Sequence, residues 1–169
     1  MRFALRYFTG TGNSLKILRT CRDLFLEAGH KTEISEINPA EREIKEADII
    51  GFCFPVYAFG IPRICRKYLR RLERFENGQR VFIIISAGDS KQSGFSVVEC
   101  SRILKKKSCD IVYSGVVQMP DNWITAPLPP FPPSREEAVE IIRKGVEQAK
   151  EMAHDIVSGI SRLHVFGYP

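Results

Sequence analysis

The chain has 169 residues, 44% of them hydrophobic, which fits one compact domain spanning 1–169 with a sizeable core and disfavours a second domain. Its formal charge of +5 comes from Lys and Arg on predicted helix faces and in Lys105-Lys106-Lys107, without the interleaved aromatics of a base-stacking platform. Nucleic acid is therefore disfavoured, and a solvated face or an acidic protein partner is favoured. No apolar run approaches the ~18 residues of a membrane span and no signal-peptide pattern follows Met1, so the expectation is a cytoplasmic protein without a membrane partner.

In chain order, Phe3, Leu5, Tyr7 and Phe8 predict a buried strand that breaks into Thr9-Gly10-Thr11-Gly12-Asn13-Ser14. Glycines let the backbone turn sharply and approach a ligand, so that successive N–H groups face an anion. The hydroxyls of Thr9, Thr11 and Ser14 add donors, and the orphan N–H groups of a following helix add a favourable dipole. No Lys or Arg lies between Thr9 and Leu15, so this cradle would hold phosphate with dipoles and hydroxyls alone. A P-loop needs a Gly-Lys pair, and the dinucleotide fingerprint needs a third glycine where Leu15 stands; both are rejected. The competing explanation is an ordinary strand-to-helix turn with a capping Asn or Ser.

From Ser14 to Ala28 apolar residues recur at helical spacing, and Gly29 ends the helix. Lys31 to Ile37 reads as a short, polar edge strand, and Ala40 to Glu46 as a weak helix. Asp48 to Phe54 is apolar throughout, as a strand covered on both faces would be; Pro55 is expected to end it. Pro55-Val56-Tyr57-Ala58-Phe59-Gly60 then offers two exposed aromatics before a helix from Pro62 to about Phe75. Arg80 to Ser86 is another buried strand, and Ala87-Gly88-Asp89 through Gly94 a binding-length loop. The next helix should bury Val97, Val98, Ser101 and Leu104, and a fifth strand lies within Cys109 to Gln118. A proline-rich connection with Trp123 leads to a final helix from Arg135, with Ser134 as N-cap and Glu136 and Glu137 in its first turn. Five strands alternating with helices give an α/β doubly wound parallel sheet.

The five cysteines, Cys21, Cys53, Cys65, Cys100 and Cys109, are scattered and odd in number. They fit neither a disulfide framework nor a metal site, and read as small core residues in a reducing compartment. No catalytic acid, base or nucleophile stands out, and no metal ligand set.

Thr9-x-Thr-Gly-Asn-Ser resembles the phosphate loop of flavodoxins. Residues 7–14, the Phe-Pro-Val-Tyr-Ala-Phe-Gly-Ile-Pro run at 54–62 and Met-Pro-Asp-Asn-Trp-Ile at 119–124 are similar to the flavodoxin module of bacterial flavodoxin–ferredoxin fusion proteins. The resemblance covers nearly the whole chain. It implies a flavodoxin-like three-layer sandwich with strand order 2-1-3-4-5, whose ligand sits beyond the carboxyl ends of the strands where the order reverses. The loops beginning at Thr9, Pro55 and Ser86 meet there.

What the resemblance implies is FMN, held at its phosphate by Thr9 to Ser14. Tyr57 and Phe59 would flank the ring, with Pro55, Val56, Ala58 and Gly60 close to its edge. Ser86, Ala87, Gly88, Asp89 and Gly94 would supply groups to its carbonyls. A carbonyl between Ala58 and Gly60 would accept a hydrogen bond from protonated N5. The outer stacking tyrosine of ordinary flavodoxins has no counterpart in Ala87-Gly88-Asp89-Ser90, so Trp123 or Phe95 is the candidate substitute. The implied function is electron transfer with a redox protein, such as a ferredoxin or a reductase. The ferredoxin cluster motif of the fusion proteins is not in these 169 residues. An NAD(P)H-dependent flavin or quinone reductase on the same fold, and a phosphate-binding interaction domain without flavin, remain the alternatives.

Overall fold

The computed structural model describes residues 1–45, 47–75, 78–89, 93, 95–122 and 132–164. In chain order its elements are β1 (Arg2–Tyr7), α1 (Asn13–Glu27), β2 (Lys31–Glu36), β3 (Ile49–Pro55), α2 (Arg63–Arg71), β4 (Gln79–Ala87), α3 (Ser96–Lys105), β5 (Cys109–Gln118) and α4 (Arg135–Val157). All strand pairs are parallel and the order is β2-β1-β3-β4-β5, as expected. The chain reverses direction across the sheet between β1 and β3, which opens a crevice at the carboxyl ends of those strands.

Each face of the sheet is covered by its own pair of helices. Phe3, Leu5, Ile49, Cys53, Phe82 and Ile84 point to the layer of α1 and α4. Ala4, Phe52, Phe54, Ile83 and Ile85 point to the layer of α2 and α3. The central strands are thus buried on both sides, which is why β3 and β4 are continuous apolar runs. The alternating burial of β2 marks it as an edge. At the other edge, Ser114 N–H donates to the Arg162 carbonyl (2.8 Å), so part of the open rim of β5 is covered by the chain after α4. All five cysteines are buried and free.

Three local expectations need correction. Residues 41–45 are not helical. Glu41 is drawn inward to the buried Arg6 guanidinium (3.0 Å) and takes a hydrogen bond from Tyr68 Oη (2.5 Å), an arrangement that a solvent-facing helix turn would forbid. Asn38 instead makes a side-chain turn, its Oδ1 accepting from Ala40 N–H (2.9 Å). Helix α2 stops at Arg71, short of Phe75, because Leu72 swings to an extended conformation and stays buried, while Phe75 N–H bonds the Lys107 carbonyl (2.9 Å). The buried face of α3 is Val97, Cys100 and Leu104 with Ser96 and Ile103, so Val98 and Ser101 lie half-buried beside it. Pro55 ends β3 as expected, as its last residue; proline has no N–H to give to a ladder, and at a strand end none is needed.

The end of the fold that matters least to the crevice is nonetheless well determined. Ser134 caps α4 by accepting from Glu137 N–H (3.2 Å), and Glu137 returns the bond to Ser134 N–H (2.8 Å). This capping box satisfies two N–H groups that the helix start would otherwise leave to solvent. Among the described residues no helix is long and apolar enough to cross a membrane.

Candidate site at the carboxyl ends of β1, β3 and β4

The first turn is held open from within. Gly12 sits at φ 94°, a backbone state that costs an L side chain about 1 to 2 kcal/mol, and no side chain caps α1. The Thr9 hydroxyl accepts from Gly12 N–H (2.9 Å), and the Thr11 hydroxyl accepts from Asn122 Nδ2 (2.7 Å). A hydroxyl that already accepts has its proton left to give, so both threonines are set as donors. Together with the N–H groups of the uncapped helix start, they form a group of donors whose chemistry suits an anion.

Ser14 is placed differently from the two threonines. Its side chain is fully buried and its hydroxyl pairs with that of Ser86 (2.9 Å), joining the start of α1 to the end of β4. Burial pushes the neighbouring Cys53 thiol well above its ordinary value, and the lowering influence of the Ser14 side chain does not offset it. Cys53 therefore stays a neutral core group. Asn13 faces the chain after β5, with Nδ2 donating to the Pro120 carbonyl (3.1 Å).

The second turn is a closed hairpin. Tyr57 and Gly60 exchange both backbone hydrogen bonds (2.8 and 3.1 Å), and the two residues between them have positive φ, 47° at Ala58 and 64° at Phe59. Such a turn favours Asn-Gly, and each non-glycine residue held there costs about 1 kcal/mol or more. The strain is opposed from behind. Phe95 N–H donates to the Phe59 carbonyl (2.8 Å), and Ile61 N–H donates to Glu99 Oε2 (3.1 Å). Arg66 pairs with the same carboxylate through Nε and Nη2. Burial favours the neutral acid, but the bonds from Arg66 and Ile61 outweigh it and hold the Glu99 carboxyl below its ordinary value.

Tyr57 couples the two turns. Its ring meets Phe8 edge-on, with centroids 6.4 Å apart, and its hydroxyl lies over Gly10, where a Cβ would come within 2.5 Å of it. A side chain at position 10 would push the tyrosine away. Tyr57 is nevertheless 50% exposed and Phe59 67% exposed, so the hairpin presents aromatic surface outward. Val56 N–H donates to the Ser86 carbonyl (3.0 Å), which fixes Pro55 and Val56 beside the third loop.

At that third loop, Ala87 accepts from Met119 N–H (2.8 Å) and Gly88 accepts from Gln118 Nε2 (3.0 Å). Gly88 is approached so closely by Asp121 that a Cβ would lie 2.8 Å from the aspartate Cβ. Asp89 is half-buried beside it. Gly94 and Trp123 lie outside the described residues. The buried hydroxyls of Ser93 and Ser96, at the start of α3, have no hydrogen-bond partner among the described residues. Among those residues there is also no cluster of His, Cys, Asp and Glu suited to a metal ion.

The structure therefore brings Thr9 to Ser14, Pro55 to Gly60 and Ser86 to Asp89 to one end of the sheet. It adds three contributors that sequence reading missed. Asn122 orients Thr11, while Glu99 and Arg66 brace the hairpin. Asn122 lies within the Met-Pro-Asp-Asn-Trp-Ile run, so a signal was present there; for Arg66 and Glu99 the sequence carries none.

No protein-family model matches the chain, and no curated protein matches it in sequence. Solved structures do share its architecture. The flavodoxin of Streptococcus pneumonia TIGR4 superposes with a TM-score of 0.61 at 16% identity, over 92% of this chain and 99% of that one. The rubredoxin oxygen:oxidoreductase of Desulfovibrio gigas gives 0.59 at 15% identity, over 95% of this chain and 37% of that one. A flavodoxin, WrbA-like protein from Agrobacterium tumefaciens gives 0.55 at 11% identity, over 94% and 98%. At such identities the likeness establishes architecture, and the architecture of this chain is the flavodoxin-like α/β fold.

Proposed function

We propose that this chain is a single FMN-binding domain that carries electrons to or from a protein partner, of a kind with the flavin module of flavodoxin–ferredoxin fusion proteins. The observation that carries the proposal is the first turn. Two threonine hydroxyls, each already accepting a hydrogen bond, converge with an uncapped helix start beside an exposed aromatic hairpin. A phosphate on an apolar, planar ring system suits that combination better than a bare anion does. FMN, when bound, supplies the redox chemistry.

The chain's own residues bind and orient. Thr9, Thr11 and the N–H groups of Asn13 and Ser14 would hold the phosphate dianion without any cation, so release of the ligand depends little on salt. Tyr57 and Phe59 would bury ring surface, and the Gly60 side of the hairpin would offer backbone groups to the ring edge. Buried, free cysteines suit a reducing, cytoplasmic setting.

The deciding experiment is an FMN titration followed by stepwise anaerobic reduction. Saturable quenching of FMN fluorescence and a long-wavelength absorbance midway through reduction are expected. A protein that leaves FMN fluorescence unchanged would end the proposal in favour of a phosphate-binding interaction domain. Rapid bleaching by NADH or NADPH alone would favour a reductase on the same fold, a second possibility supported by the half-exposed aromatic hairpin, which leaves room beside a ring.

A further inference from the structure

Positive charge is gathered on one side of the molecule. Helix α2 carries five Arg or Lys residues and no acid. Arg102 and Lys105 in α3, with Lys106 and Lys107 after it, add four more, and Glu99 is the single carboxylate of the two helices. Within α2, α3 and the two lysines after α3, nine cations thus stand against one acid, whereas the whole chain is only +5, so the remainder sums to −3. That remainder includes the crevice at the strand ends.

Between α2 and α3 runs an open groove of about 440 Å³. Phe95, Val98 and Ile103 give it an apolar lining, and Arg70, Arg102 and Lys106 are exposed along it. Its one acid, Glu99, is already committed to Arg66 and Ile61. Arg102, Lys106 and Lys107 form no ion pair with any described residue. An apolar strip lined by unpaired cations complements a segment that alternates carboxylates with an apolar side chain.

We propose that the α2/α3 groove is the docking site for an acidic, partly apolar segment of a protein partner. From Phe95 to Lys107 the groove follows about three turns of helix, roughly 18 Å, the length of a short helix or strand on a partner surface. Nucleic acid fits less well, because Phe95 is the one aromatic along the groove and successive bases need successive stacking surfaces. The groove also runs directly into the candidate site. Phe95 N–H holds the Phe59 carbonyl, and Phe59 and Phe95 are both exposed at that corner, so a partner seated here would cover the aromatic hairpin. The purpose of such docking rests on the flavin proposal above; the geometry of the groove does not.

The test uses the full chain as purified and saturated with FMN. Fluorescence anisotropy would follow a labelled peptide of Glu and Asp with Leu at helical spacing, beside poly-Glu of equal length and single-stranded oligothymidine. The Leu-bearing peptide should bind best, and Arg102→Glu with Lys106→Glu should weaken it by about tenfold or more. Lys144→Glu with Lys150→Glu on α4, an equal change in net charge at exposed positions, should leave it unchanged. Absence of peptide binding, equal weakening by both pairs, or tighter oligothymidine binding through Arg102 and Lys106 would overturn the proposal. FMN fluorescence is read in the same samples. Peptide binding that depends on Arg102 and Lys106 in a protein that ignores FMN would leave docking standing and remove the flavin proposal. FMN binding without peptide binding would do the reverse.

Discussion

The first and second turns at the carboxyl end of the sheet solve opposite problems. Thr9–Ser14 reaches its positive φ through a glycine, at no steric cost, and spends its side chains on fixing hydroxyl protons. Tyr57–Gly60 reaches positive φ through Ala58 and Phe59, and relies on Glu99, Arg66 and Phe95 behind it to keep the strained form. The first turn takes its backbone shape from its own glycine and borrows only the orientation of Thr11 from Asn122, whereas the second keeps its backbone shape through its neighbours. A pre-set polar cradle suits a ligand group of fixed charge, whereas a strained hairpin with exposed rings suits the part of the ligand whose demands change.

The comparison can be broken most forcefully at the hydroxyls. Thr9→Ala with Thr11→Ala removes two donors to a charged group, about 3 kcal/mol together, so FMN affinity should fall roughly 100-fold, a larger effect than the about 1 to 2 kcal/mol of stability lost with the bonds from Gly12 N–H and Asn122. Equal FMN titrations for the variant and the parent would show that the cradle does not grip phosphate. Gly12→Ala comes next. Nothing lies within 4 Å of the added Cβ, so the cost is backbone strain alone, about 1 to 2 kcal/mol, read as a melting point lower by roughly 2 to 8 °C.

Glu99→Gln sharpens the contrast from the other side, because it touches only the second turn. The pair is partly exposed, so a loss of about 1 kcal/mol is expected. The carboxyl is held below its ordinary value of 4.5, so its contribution is complete above that pH and fades as pH falls through the lower folded value. Denaturation between pH 5 and pH 3 should therefore be steeper in the parent than in Glu99→Gln, and identical slopes would count against the brace. The smallest effect is a gain. Ala58→Gly relieves a residue held at φ 47° and should stabilise the protein by about 0.5 to 1 kcal/mol in thermal melts. If stability falls instead, the hairpin is not strained.

Much of this was legible before any coordinates. Asp48 to Phe54 and Arg80 to Ser86 each hold a continuous apolar run, Ile49 to Phe54 and Val81 to Ile85, and they became the doubly covered strands β3 and β4. Ser134 was legible as the N-cap of α4, and the structure adds the reciprocal bond that Glu137 accepts from Ser134 N–H. The glycines and hydroxyls after β1 announced a polar turn, and Tyr57 and Phe59 do stand exposed. The misses share one cause. Residues 41–45 had a helical composition, but Glu41 answers to Arg6, 35 residues away, and to Tyr68, 27 away. Ala58-Phe59 has no glycine or asparagine to betray a turn of positive φ, since the conformation is imposed by α3.

The order of residues along the chain by itself determined where the five strands and most of the helices lie, which strands are central, and where the glycine- and hydroxyl-rich turn begins. Those properties rest on period and turn chemistry between near neighbours, and near neighbours are what a sequence displays. Tertiary structure alone decided that Asn122 orients Thr11 across 111 residues, that Ser14 spends its hydroxyl on Ser86, and that α2 and α3 pool their cations along one groove. Each needs two distant pieces of chain brought within a few ångströms, and only the packed sheet supplies that proximity.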